Sequence, residues 1–375
     1  MQKTQRLLHL DALRGVAALL VVFQHLYVPL LSTTFFHNVI DLGKLGVLWF
    51  FLISGMVIPF TLHRKTTTKR FLISRFFRLY PAYWLSLITY IALLYILNLP
   101  LPTIHTILSN FTMIQTALGA PDVVGVYWTL FIEIVFYSFC LLLFIAGLID
   151  SHKARLACIF SFTAFAGCLS IIRWTFDAKM PVALPLALSL MFFGSIWREA
   201  TISGSESARR LCMYLVSFFA IIFPPILYFA YSKDMGYGEN FQRYFITYFS
   251  AISSFLVLTS IARTSAPLLS WLGAISYSVY LFHPHVYLFT KESLKAVGIT
   301  YNLWFAALST ILTLLISNYI YLLLELKFIN VGARINRRAT QACGHETDRS
   351  AEGTASLLVQ PTIADSTAES GNSNQ

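Results

Sequence analysis

Charge is the scarcest commodity in this 375-residue chain. Only 12% of its residues are Asp, Glu, Lys or Arg, roughly half the share of a soluble globular protein. That shortage excludes a solvated multidomain protein, and apolar runs of about 20 residues recur throughout, as a polytopic membrane protein requires. Cysteine is sparse as well. Five are scattered, with no CxxC pair and no paired spacing, so neither a disulfide framework nor a zinc site follows, and no metal site is expected. No internal repeat and no soluble catalytic domain can be found. The N-terminal apolar segment follows Lys3 and Arg6 but has charged residues inside it and no small-residue cleavage site. It reads as a retained helix, not a signal peptide.

What is present is 57% hydrophobic residues, mean hydropathy +0.67 and a net charge of +10. The fold class is therefore all-α, with about ten transmembrane helices: 10–32, 42–62, 74–98, 124–149, 155–175, 182–198, 211–231, 241–262, 268–290 and 302–329. With the N-terminus cytoplasmic, 19 of the 27 Lys and Arg fall on the inner side and 7 on the outer, Arg14 lying within the first helix. The excess predicts an N-in, C-in orientation, and it reads the basic charge as topology, with no nucleic-acid partner. The outer stretch Leu99–Gly125 has no Lys or Arg and holds Pro100, Pro102 and Pro121. It reads as a re-entrant or interfacial loop. Residues 1–332 form the membrane domain, and 333–375, rich in Ser, Thr, Ala and Glu, read as a disordered cytoplasmic tail.

The chemistry-bearing stretch is LDALRGVAALLVVFQH, Leu10–His25. Asp11, Arg14 and His25 share one helical stripe, because the 11-residue step from Arg14 to His25 is about 20° from whole turns. Three ionisable groups on one face of a membrane helix call for a polar cavity. His25 lies about 21 Å beyond Asp11, in the outer half of the bilayer. There it is a general base or, in the plainer reading, a neutral imidazole bonded to a neighbouring helix. Glu133, on a face with Thr129 and Tyr137, sits at matching depth. It either orients His25 and stabilises its imidazolium or bridges to another helix. Ser276, Tyr280 and His283 share a face near the outside, as site groups or as interfacial anchors.

Toward the inner side, Arg64, Lys65, Lys69, Arg70, Arg75 and Arg78 surround the start of the third span. Topogenic charge explains most of that run. Arg75 and Arg78 lie deeper and, with Arg14, suit the phosphates of a cytoplasmic donor. Glu325 would neutralise one of these arginines. Ser54-Gly55 lies mid-membrane and serves either helix packing or substrate lining.

These blocks, in this order, resemble the membrane acyltransferase type 3 family, which includes O-antigen and exopolysaccharide O-acetylases and nodulation-factor acyltransferases. The matches are LDALRGVAALLVVFQH, FFLISGM, SRFFRLYPAYW, YWTLFIEIVFY, and ISYSVYLFHPH with a last helix ending in LELKF. The resemblance implies a catalytic histidine at His25, the motif arginine at Arg14 and the motif acid at Glu133. It implies an acyl-CoA donor, most often acetyl-CoA, with no permanently bound cofactor. A hydroxyl of a cell-envelope or exported glycan or glycolipid would be the acceptor, at the bacterial inner membrane. Met56 stands where the family usually has an aromatic residue, and Lys327 where it often has proline. No fused extracytoplasmic esterase-like domain follows the last helix, so a stand-alone enzyme is expected. A glycan or lipid transporter or flippase is the competing class, since buried charge also marks transport pathways. A membrane receptor or scaffold is the third.

Overall fold

Polar side chains set where most of the helices begin. A computed structural model describes residues 8–31, 34–62, 66–236, 238–261 and 266–338. Asp41 accepts a hydrogen bond from Lys44 N and opens helix α3 (Leu42–Val57), after α1 (Leu8–Leu26) and the one-turn α2 (Thr34–Asn38). Thr67 caps α4 (Thr68–Ile96) in the same way, and Thr103 caps the short α5 (Ile104–Phe111). After α6 (Trp128–Ile145), Ser151 caps α7 (His152–Phe176). Then α8 (Ala183–Thr201) leads to α9 (Glu206–Tyr231) and α10 (Phe241–Ser260), capped by Ser205 and Asn240. Helix α11 spans Pro267–Ala296, and Asn302 caps α12 (Leu303–Ile320). Each cap satisfies a backbone N–H that no turn of helix can reach.

The described residues are all helix and turn, without strands. Among the described residues, seven helical segments are long and apolar enough to cross a membrane: 8–30, 42–61, 68–96, 128–145, 152–176, 206–231 and 303–338. Helices α8, α10 and α11, also expected as spans, are not among them. For α8 the packing gives the reason: it is buried continuously from Pro185 to Ile196, at the centre of the bundle against α3, α7 and α9. A helix surrounded by protein does not need lipid-grade hydropathy. The last helix outruns its expected end at 329. After a π-helical stretch, Tyr321–Glu325, it continues to Arg338, so no helix end marks position 332. Arg64, Lys65 and residues 339–375 lie outside the described residues.

Close glycine crossings hold the centre. A Cβ on Gly273 of α11 would lie 1.9 Å from the Asp11 carbonyl oxygen of α1, and one on Gly55 of α3 would lie 1.9 Å from the Met191 carbonyl oxygen of α8. Only glycine permits backbones this near. Ion pairs then tie the helix ends. At one end, Arg243 meets Asp41 at 2.9 Å and Arg173 pairs with Glu239; at the other, Arg155 meets Glu199 at 2.7 Å.

The 99–125 stretch folds back along α4. Tyr83 Oη donates to Asn110 O (2.6 Å), Trp84 Nε1 to Phe111 O (3.0 Å) and Tyr80 Oη to Thr112 O (3.0 Å). Tyr83 lies 13 residues before the end of α4 at Ile96, about 20 Å along the helix. The loop thus folds back into the helical bundle, as a re-entrant segment would. Its helix α5 buries Thr106, Ser109 and Asn110 while Ile104 and Leu108 stay exposed, polarity inverted relative to a soluble surface helix, as a lipid-facing segment requires.

Candidate active site

Five helices converge on one cavity, with about 740 Å³ of atom-free space including its mouth. Helix α1 contributes Arg14; α3 contributes Phe50 and Ser54; α4 contributes Arg75, Arg78 and Leu79; α6 contributes Thr129, Glu133 and Tyr137; α11 contributes Ser276, Tyr277 and Tyr280. The sequence reading picked out most of these polar residues one by one, and the fold gathers them. Tyr277 gave no signal in the sequence. Its hydroxyl donates to Leu79 O at 2.9 Å and joins α11 to α4.

Arg14 is half-buried, 3.9 Å from Asp11 Oδ1 one turn back on its own helix. Arg75 lies over the rings of Phe71 and Tyr137, at 5.7 and 5.9 Å from their centroids. Arg78 acts electrostatically on both Arg14 and Glu325. Among the described residues neither Arg75 nor Arg78 forms an ion pair. Glu325 is buried, accepts a hydrogen bond from Ser278, and leaves its second oxygen without a partner among the described residues. The expected neutralisation by an arginine is therefore electrostatic, without direct contact. Gly55 serves the α3–α8 crossing, and its neighbour Ser54 reaches into the cavity, where its hydroxyl donates to Glu133 at 3.5 Å.

Glu133 is held from its own helix too, accepting from Tyr137 Oη. It does not pair with His25. The His25 Nδ1–H donates to Val21 O at 2.9 Å, within α1, and the ring packs against His283 of α11, with centroids 5.1 Å apart. Matching depth along two helices did not fix the rotation of either, and α6 turns its carboxylate toward the arginines. His25 is exposed at the end of α1 and is not part of the cavity lining. The lining stops at Phe50, Thr129 and Tyr280. The Phe50 and Tyr280 rings meet edge to face at 5.8 Å, and Tyr280 Oη is anchored to Thr129 Oγ1 (2.8 Å) and Val126 O (3.0 Å). Beyond Tyr280 come His283, whose ring lies 6.1 Å away, and then His25.

A helical bundle with several segments long and apolar enough to cross a membrane, folded around an arginine-rich cavity, defines a multi-pass membrane protein. The chain belongs to the family described as Acyltransferase domain (Acyl_transf_3), whose family model matches residues 7–322. It is similar to "Putative acetyltransferase ORF330" of Acidianus two-tailed virus, 26% identical over 295 residues, covering 76% of this chain and 84% of that protein. It is also similar to "Protein 2 in picA locus" of Rhizobium radiobacter, 33% identical over 156 residues, covering 35% of this chain and 78% of that protein. No solved structure matches.

Proposed function

We propose that this acyltransferase moves an acetyl group from acetyl-CoA to a hydroxyl of a cell-envelope or exported glycan, from an N-in, C-in position in the bacterial inner membrane with about ten spans. One observation carries the reading: three guanidiniums, Arg14, Arg75 and Arg78, face one cavity whose lining, among the described residues, holds a single carboxylate, Glu133. That surplus of positive charge suits the phosphates of a CoA thioester. The acetyltransferase-named viral relative favours acetyl over longer acyl groups.

Arg14 and His25 are about 16 Å apart along α1, a distance an extended pantetheine arm covers. For the thioester to meet His25, the Phe50–Tyr280 pair has to part, since the cavity lining stops there. With Nδ1–H committed to Val21 O, the His25 Nε2 carries the lone pair. It takes the proton of the acceptor hydroxyl as that oxygen attacks the thioester carbonyl. The C–S bond then breaks, and the thiolate leaves with the proton from the imidazolium. Glu133 holds Tyr137 and Ser54 in place and keeps the cavity's charge from driving its helices apart.

The test is a comparison of wild type with His25→Ala at equal membrane levels, with alkali-labile acetyl on the surface glycan as the readout. Loss of acetyl by about 100-fold or more is expected for removal of a general base. Equal acetylation in the two strains would refute the assignment.

A further inference from the structure

Two buried imidazoles have no part in the scheme above. His285 is structurally explained: its Nε2–H donates to Ser86 O at 2.8 Å and its ring packs on Tyr90, which ties α11 to α4. His283 is not. It is completely buried, its Nδ1–H donates to Val279 O at 3.1 Å, and its Nε2 finds no protein partner among the described residues. Leaving a buried acceptor unmet is costly, so the position calls for a reason.

The two imidazoles are held by the same device. In each, Nδ1–H is spent on the carbonyl four residues back, which fixes the tautomer and turns the basic Nε2 away from its own helix. The two rings then face each other across the α1–α11 contact at 5.1 Å and 53°. This is the most extensive helix pairing in the molecule, closed by the Gly273–Asp11 approach. On its other side His283 faces Tyr280, the cavity wall.

We infer that His283 is the positioning partner of His25, its Nε2 lone pair helping to hold the proton that His25 takes from the acceptor hydroxyl. This rests on the reading of His25 as the base. The acceptor O–H bond breaks as its proton passes to His25 Nε2, the His283 lone pair beside that ring stabilises the positive charge, and the departing thiolate collects the proton, so both rings end neutral. A neighbouring lone pair matters here because an unaccompanied imidazolium in a low-dielectric site is costly. Glu133, fastened to Tyr137 and Ser54, does not supply this.

The experiment uses full-length protein in membranes, acetyl-CoA as donor, and envelope glycan extracted from the same cells as acceptor, with release of CoA thiol as the signal. His283→Phe keeps a buried ring but removes the lone pair. It is expected to lower kcat by about 30-fold, the loss of one charge-assisted hydrogen bond, with KM for acetyl-CoA within about twofold. His283→Gln, whose carbonyl oxygen can accept the same proton, should recover most of that loss. If His283→Phe fails to reach the membrane, His283→Met replaces it. Wild-type kcat in the Phe or Met variant, or Gln no better than either, overturns the inference while dependence on His25 still stands. If His25→Ala itself leaves CoA release unchanged, the base assignment falls and this inference falls with it.

Discussion

Gly273→Ala puts one methyl group where two backbones already touch. The new Cβ would lie 1.9 Å from the Asp11 carbonyl oxygen and 2.4 Å from its carbonyl carbon, against a floor of 3.0 Å for real Cβ contacts. Both neighbours are helix backbone and neither can swing aside, so α1 and α11 must separate by about 1 Å or more at this level. Overpacking of this kind costs about 1–3 kcal/mol. The functional cost should be larger than the stability cost suggests. Helix α1 carries Arg14 and His25, and α11 carries Tyr280 and His283, so one shift disturbs the cavity and the imidazole contact together. The variant should lose several degrees of apparent melting temperature in detergent and at least tenfold in acetyl transfer, an effect of the size expected from a 1 Å misplacement. Gly167→Ala on α7 is the control. Its Cβ would meet nothing nearer than Ile226 at 3.9 Å, and it should be neutral or slightly stabilising, by up to about 1 kcal/mol. Wild-type melting and activity in Gly273→Ala would refute the argument that this crossing sets the geometry of the site.

Arg75→Ala should raise KM for acetyl-CoA by about 10-fold or more with little change in kcat, as loss of a charge-assisted contact to phosphate predicts; steady-state kinetics decide it. Glu133→Gln should keep the fold and lower activity, because the amide no longer offsets three arginines or accepts equally from Tyr137 and Ser54; activity per unit of membrane-inserted protein measures it. At the mouth of α3, burial pushes the Asp41 carboxyl up, but Lys44 at 3.2 Å and Arg243 at 2.9 Å outweigh it and hold the group below its ordinary 3.8. A depressed folded-state pKa stabilises the protein above pH 3.8 and loses that contribution as pH falls through the folded value. Melting temperature against pH should therefore drop on that acid limb in wild type, and Asp41→Asn should flatten the drop.

The first helix was legible because charge is rare in this chain. Asp11, Arg14 and His25 stand out in an apolar run, and their spacing alone sets them on one stripe. The arginines of α4 were legible for the same reason, being deeper than a topogenic signal needs. Glu133 was legible as an anomaly, but its partner was not. Counting residues from a helix end gives height in the bilayer, whereas the partner depends on the rotation of α6, which the Tyr137 bond and the Ser54 contact fix only in the assembled bundle. The same limit hid the His25–His283 contact, although both residues had been singled out. The loop before α6 was visible as an uncharged, proline-marked stretch. That it lies along α4 follows from three carbonyls that Tyr80, Tyr83 and Trp84 bind, and no local pattern announces those bonds. Helix α8 was the faintest of the expected spans because it is short and begins beside Pro181 and Pro185; its continuous burial against α3, α7 and α9 shows only in the fold.

The way this chain disposes of its buried cations separates structure from function. Arg155, Arg173 and Arg243 are all buried, and each is matched to a carboxylate: Glu199, Glu239 and Asp41 respectively. Arg198 is satisfied differently, donating to Met56 O at 2.8 Å over the ring of Phe60. These are the fittings expected where an isolated charge would be costly. The cavity departs from that pattern. Arg75 and Arg78 have no ion pair among the described residues, Arg14 has a loose one, and Glu325, which Arg78 reaches only through space, is bonded to Ser278. Where a fold pairs its other deep cations and leaves a surplus of positive charge at a single opening, the missing counter-charge belongs to something that arrives. The phosphates of the proposed CoA donor would supply it, so weakening of donor binding by added salt is the outcome expected of this arrangement.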